Sequence, residues 1–316
     1  MINKEIELNN LATPGVSKKP YKFSFVVASI DRDQQLQRCL FSIEKAYELR
    51  PDVPIEVLVV IQKAKQKKDI KISYPGIITF YYINKVGLSA ARNFAIEKST
   101  GDYLVFLDDD AEINEDFVDV LPQRIKDHKG VNAFCGRLID RAQNVPFSPI
   151  FYNKKVKKLN RMEYQNFMGS AHVLSREVIR KVGGYDEHFG FGSRHYSGAE
   201  ETDMFFRLKM AKEQVVYLPD LIFFHPTIYP SVDYVYNYGY VLGAVLTKNC
   251  ISDKTYFFMY FMVVLEVTMR GVVRLVQKIF SKKIREKDKV YHYGVRLKGL
   301  FKGISFFIRD NYFNKK

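Results

Sequence analysis

Residues 87–113 read "GLSAARNFAIEKSTGDYLVFLDDDAEI", and the order of events in this stretch decides the fold. A helix-like segment, with Ser89 as its expected N-cap, gives way to the turn "TGD". The apolar run Tyr103 to Leu107 then ends in three consecutive aspartates, Asp108, Asp109 and Asp110. Adjacent carboxylates repel one another and lose hydration when a fold crowds them at the mouth of a cleft, so the arrangement is costly unless something cationic shares it. Two readings fit: a metal site, or a solvated turn in which Asp is a common residue. A calcium loop of the EF-hand kind does not fit, because Ile113 stands where that loop needs Gly and Asp119 where it needs Glu.

Working outward, strand-like and helix-like segments alternate. "FSFVVAS" (Phe23 to Ser29) is a β-branched and aromatic run, and the segment after it carries Leu36, Cys39, Leu40, Ile43 and Tyr47 at helical spacing. "IEVLVVI" (Ile55 to Ile61) and "IITFYYI" (Ile77 to Ile83) read as further strands. Strands separated by helices in this order predict an α/β fold with a mostly parallel sheet flanked by helices. Ligands of such sheets bind outside the carboxyl ends of the strands. Ser29 and Asp31 stand at one such end and Asp108 to Asp110 at another. Neither GxGxxG nor GxxxxGK[ST] is present, so neither a dinucleotide fingerprint nor a P-loop marks the site.

Beyond an irregular stretch from Gln123 to Arg161, with Pro122, Pro146 and Pro149 as breakers, "GSAHVLS" reads as a short strand and "REVIRKVG" as a short helix ended by Gly183. The run Gly183 to Gly198, rich in Gly, Tyr, Phe and His, suits a loop that closes over a ligand. "AEETDMFFRLKMA" restarts a helix with Glu200, Glu201 and Asp203 in its first turn. Such acids can simply complement the helix dipole, or one of them can serve as a general base at the edge of a cleft.

These pieces, in this order, resemble the family 2 glycosyltransferases of the GT-A fold over roughly residues 22–230: "FSFVVASIDRDQQLQRCLFSI", "IEVLVV", "GLSAARNFAIEKSTGDYLVFLDDDAEI", "GSAHVLSREVIRKVGGYDE" and "SGAEETDMFFRL". The resemblance implies a metal-dependent, inverting transfer of a sugar from a nucleotide-diphosphate sugar to a hydroxyl of a glycan or lipid-linked acceptor, of the kind that builds bacterial surface polysaccharides. Matched to the family's DxD pattern, Asp108 would face the ribose or the metal and Asp110 would ligate Mn²⁺ or Mg²⁺, with Asp109 at the variable middle position. His225, in "DLIFFHP", resembles a distal metal ligand; its alternative is a structural His. Arg92 could reach a phosphate or face solvent. The family's "ED" pair falls on Glu200, at the acceptor, and Glu201, as the base, with Glu in place of the usual Asp. Ser29, Asp31 and Gln62 complete the expected nucleotide-sugar contacts. One departure concerns the nucleobase: where the family usually has Asp, this chain has Ile61 followed by Gln62, whose amide offers both donor and acceptor.

Competing readings of the same residues are a nucleotidyl or phosphoryl transferase using the same metal site, and a non-catalytic basic adaptor that binds RNA or membrane. At 316 residues and 47% hydrophobic composition the chain can bury a substantial core. Three cysteines without paired spacing indicate reduced thiols and a cytosolic protein. Residues 1–21 form a polar lead-in arm, 22–230 the catalytic domain and 231–316 a basic helical extension. From Lys248 onward, 16 Lys plus Arg face 5 Asp plus Glu, so this segment holds +11 of the net +14 and the rest is nearly balanced. That distribution argues against a nucleic-acid surface on the main domain. "YFFMYFMVVL" (Tyr256 to Leu265) is too short to span a bilayer, but Arg270, Arg274 and Lys278 recur every fourth residue beyond it among apolar residues. A helix of this kind would either lie on an anionic membrane surface, at the inner face of the cell membrane, or pack on the main domain.

Overall fold

The apolar run Phe23–Ser29 forms strand β1, buried at all seven positions, because it lies at the middle of a sheet with helices on both faces. In the computed structural model, which describes residues 20–30, 32–63, 70–227, 231–280 and 289–312, β1 pairs in parallel with β2 (Ile55–Gln62) on one side and β4 (Tyr103–Asp108) on the other. β3 (Ile78–Ile83) extends the parallel set beyond β2. Helices α1 (Asp33–Leu49) and α2 (Leu88–Lys98) are the crossovers. The register sets Ala28 level with Asp108 and Ser29 level with Ile61, so the strand ends gather at one edge.

The other half of the sheet is mixed. β9 (His172–Ser175) is antiparallel to both β4 and β6 (Ala133–Asp140), and β6 runs parallel to β10 (Val215–Phe224). The two-residue strand β5 (Glu112–Ile113) lies antiparallel on β10 at the far edge, Phe224 opposite Glu112. That short pairing positions the site: it folds the chain just after the aspartates onto the end of β10, where His225 follows. Short strands β7 (Val145–Pro146) and β8 (Lys157–Lys158) pair with β6 and β10. The remaining helices are α3 (Phe117–Asp127), α4 (Arg176–Val182), α5 (Glu200–Met210), α6 (Val232–Ser252), α7 (Phe257–Phe280) and α8 (Lys289–Tyr312).

Two expectations need correction. Ser89 does not cap α2: Gly87, at φ +137°, is the N-cap, and the Ser89 hydroxyl is buried and donates to the Phe189 carbonyl. The irregular stretch hides a central strand, β6, broken in appearance by Gly136 and Arg137. Gly136 is there because a Cβ would collide with the Leu221 carbonyl and the Phe223 ring on β10. In the extension beyond residue 230, Val241, Leu242, Leu246 and Leu300 join the cluster that contains Phe106, Phe134 and Phe205.

Helices α6 and α8 touch backbone to backbone. A Cβ at Gly239 or Gly243 would strike the carbonyls of Arg296 or Leu300, and one at Gly299 or Gly303 those of Tyr236 or Tyr240. Two glycines four residues apart on each helix allow this approach.

Candidate active site

The three aspartates have three different sets of partners. Asp108, the last residue of β4, accepts a 2.8 Å bond from Arg92. Asp109 is buried, accepts from the Ser29 hydroxyl at 2.7 Å, and has Arg32 at 3.3 Å. Burial pushes its carboxyl above the usual range against those two partners. Asp110 accepts from Arg32 at 2.9 Å and lies 3.2 Å from Nε2 of His225. Burial would raise its pKa too, but the His225 contact and the Arg32 charge hold it below the ordinary value. The repulsion foreseen in the sequence is thus relieved by the protein itself, chiefly through Arg32, a residue that sequence reasoning passed over although it sits in the "SIDRD" turn after β1.

Asp108, Asp110 and His225 each offer a ligand atom, and these atoms lie within 4.8 Å of one another. The His225 Nδ1 is 2.8 Å from the Pro226 carbonyl. Donation there leaves Nε2 facing the carboxylates, the usual arrangement of a metal-ligating imidazole. Two hard carboxylates and one imidazole suit Mn²⁺ or Mg²⁺.

Arg92 does not face solvent. It is fully buried, with its two terminal nitrogens held by Asp108, by Glu200 at 3.0 Å and by the Gly169 carbonyl at 2.8 Å. Arg92 therefore ties the strand-end aspartate to the helix that presents the Glu pair. Gln62 is likewise occupied: it is buried, and its amide oxygen accepts from Gly87 N–H at 2.7 Å, which fixes the entry to α2 and takes up part of its capacity for a base edge. Ile61 is fully buried in the sheet. Asp31 lies outside the described residues.

Of the three acids in the first turn of α5, Asp203 is structural, bonded to Arg207 at 2.8 Å and Lys248 at 2.6 Å. Glu200 is buried against Arg92. Glu201 faces a cavity of about 400 Å³ whose wall also includes Asp108, His225 and Glu200. Burial, and then the charge of Glu200, push the Glu201 carboxyl well above the usual carboxylate range. Ala199, which precedes the pair, adopts a left-handed backbone (φ +62°), a conformation rarely taken by residues other than Gly, Asn and Asp. The far wall of the cavity is supplied by Tyr234, Asn237 and Tyr238 of α6 and Arg296 of α8. Sequence reasoning missed this wall because nothing in a single sequence says which distant helices share a cavity.

The family model for glycosyl transferase family 2 matches residues 24–183, half of the chain, including the strand-end aspartates. The chain belongs to glycosyl transferase family 2. It is a glycosyltransferase of the GT-A fold. A glucosyl-dolichyl phosphate glucuronosyltransferase of Haloferax volcanii is 25% identical over 212 residues, covering 62% of this chain and 66% of that protein. Among solved structures, a mannosyltransferase from Pyrobaculum calidifontis in complex with GDP-Man and Mn²⁺ aligns over 95% of this chain and 89% of its own, with 13% identity and a TM-score of 0.56. S. aureus TarS aligns over 73% of this chain with 15% identity and a TM-score of 0.56; the chain spans 39% of TarS. Membership in the family displaces the nucleotidyl-transferase and adaptor readings.

Proposed function

We propose that this glycosyltransferase moves a sugar, with inversion, from a nucleotide-diphosphate sugar to a hydroxyl of a glycan or lipid-linked acceptor in cell-surface polysaccharide synthesis, with Mn²⁺ or Mg²⁺ held by Asp108, Asp110 and His225. The observation that carries this reading is that one cavity joins Asp108 and His225 to Glu201. A divalent ion there supplies Lewis-acid neutralisation of the departing diphosphate. Ser29 and Arg32 keep Asp109 and Asp110 in place, and Arg92 keeps Asp108 and Glu200 at a fixed spacing. With Glu200 engaged by Arg92, Glu201 is left to take the acceptor proton, and burial beside Glu200, which raises its pKa, makes it a stronger base than an ordinary carboxylate. One base and direct attack on the anomeric carbon invert configuration. The Mn²⁺ complex of the mannosyltransferase and the lipid-phosphate relative lend support to the metal and acceptor assignments.

The exposed face of α7 favours attachment to an anionic membrane surface. Phe258, Phe261, Leu265, Met269, Val272 and Val276 recur at intervals of three and four and are exposed, Phe258 at 72%. Met259, Val263 and Val267 on the opposite face are buried. Arg270 adds positive charge; the side chains of Arg274 and Lys278 lie outside the described residues. No helix among the described residues is long and apolar enough to cross a membrane.

Thermal unfolding with a panel of nucleoside diphosphates and nucleotide-sugars, with and without Mn²⁺, tests the donor half. A ligand at a hundred times its dissociation constant adds about 2.7 kcal/mol. At least one nucleotide should stabilise the wild type only with metal and leave Asp110→Ala unmoved. A panel in which no nucleotide shifts the wild type would sink the proposal.

A further inference from the structure

Arg296 is the one arginine lining the cavity among the described residues, in a wall that also holds Asp108, Glu200 and Glu201. Its Nε is buried without a hydrogen-bond partner, and among the described residues it forms no ion pair. Its guanidinium carbon sits 4.7 Å from the centre of the Tyr238 ring, so one face is covered, and its two terminal nitrogens form no hydrogen bond among the described residues. Of the three lining acids, Asp108 and Glu200 are bonded to Arg92, and Glu201 forms no ion pair with Arg296. A half-buried cation with an unsatisfied donor is costly to keep, and the cost is offset when an anion arrives. The position is also firmly built. Arg296 supplies the carbonyl against which Gly239 packs, so the close contact of α6 and α8 fixes where the side chain starts. Tyr238, Arg296 and Glu201 line the same cavity.

We propose that Arg296, stacked on Tyr238, is a binding subsite for an anionic group, phosphoryl or carboxylate, on the acceptor. The assignment of an acceptor rests on the transferase reading above; the assignment of an anion rests on Arg296 itself. An anionic acceptor approaching Glu201 and Glu200 would be repelled without a countercharge, and the guanidinium edge offers paired N–H donors that match either oxyanion.

The test is calorimetric titration of the full chain, wild type, Arg296→Met and Arg296→Lys, with three probes: an alkyl glucoside, the matching alkyl glucuronide and an alkyl glucosyl phosphate. At least one anionic probe should bind the wild type about ten-fold or more tightly than the neutral glucoside. Arg296→Met should abolish that preference without changing affinity for the glucoside, and Arg296→Lys should restore part of it. The probe that responds identifies the group as carboxylate or phosphate. Equal binding of all three probes, or a preference that survives Arg296→Met, overturns the proposal. Hydrolysis of the nucleotide-sugar donor, measured in parallel without acceptor, reports separately on the transferase reading. Its absence would count against that reading while the titration still decides the anion subsite.

Discussion

Asp108, Asp109 and Asp110 are chemically equivalent neighbours that the fold has made unlike, by giving the first an arginine, the second a hydroxyl and the third a histidine and a shared arginine. The type and order of these residues were legible in the sequence, as was the Glu pair; their partners were not. Arg92 shows why. On a helix of small residues it could point anywhere, and only the close approach of Gly169 and Glu200 fixes it inside. Gln62 and Arg32 make the same point, since hydrogen-bond partners far apart in sequence leave no periodic signal. At this scale Glu201 offers a sharp expectation. Glu201→Gln should lower kcat by roughly 10²–10⁴-fold while leaving the metal-dependent nucleotide shift intact. A base must be unprotonated to act, and burial beside Glu200 raises this carboxyl well above its ordinary pKa of 4.5. The wild-type rate should therefore rise with pH along a limb displaced upward from an ordinary carboxylate's, and a kcat–pH profile already flat at pH 5 would count against Glu201.

The strands β1, β2 and β4 and helices α1, α2 and α5 could be read from apolar runs and helical spacing, with bounds close to those observed. β6 could not, because its central position calls for a glycine that looks like a break. The pairing of α6 with α8 was also hidden: glycines within aromatic helices read as weak points until their neighbours are known. In the fold they are the contact itself. Gly303→Val should force the Tyr240 carbonyl away and destabilise the protein by about 1–3 kcal/mol or more. Because the metal-side residues lie on other elements, nucleotide binding with Mn²⁺ should persist while transfer to an acceptor falls. Comparing the two in one preparation separates loss of the α8 wall from general unfolding.

Across the whole molecule, the charged extension and the near-neutral catalytic part contribute to one hydrophobic core. The surface left over is the apolar stripe of α7. Full-length protein should sediment with anionic liposomes at low salt, release as salt rises, and ignore neutral ones. The double variant Phe258→Asp, Phe261→Asp should bind them at least ten-fold more weakly. Equal binding by both proteins would point to another surface. A last consequence concerns the cover that Arg32 and His225 place over the aspartates. Because these side chains already balance the acids, chelating the metal should stop catalysis without loosening the fold. EDTA-treated protein should melt within about 1 °C of its untreated form, less than the roughly 1.5 °C that a 1 kcal/mol change would produce in a chain of this length, and regain activity when Mn²⁺ is returned. Under the proposed metal dependence, a cell short of the divalent ion would carry an intact, idle stock of the enzyme, ready to restart without new synthesis.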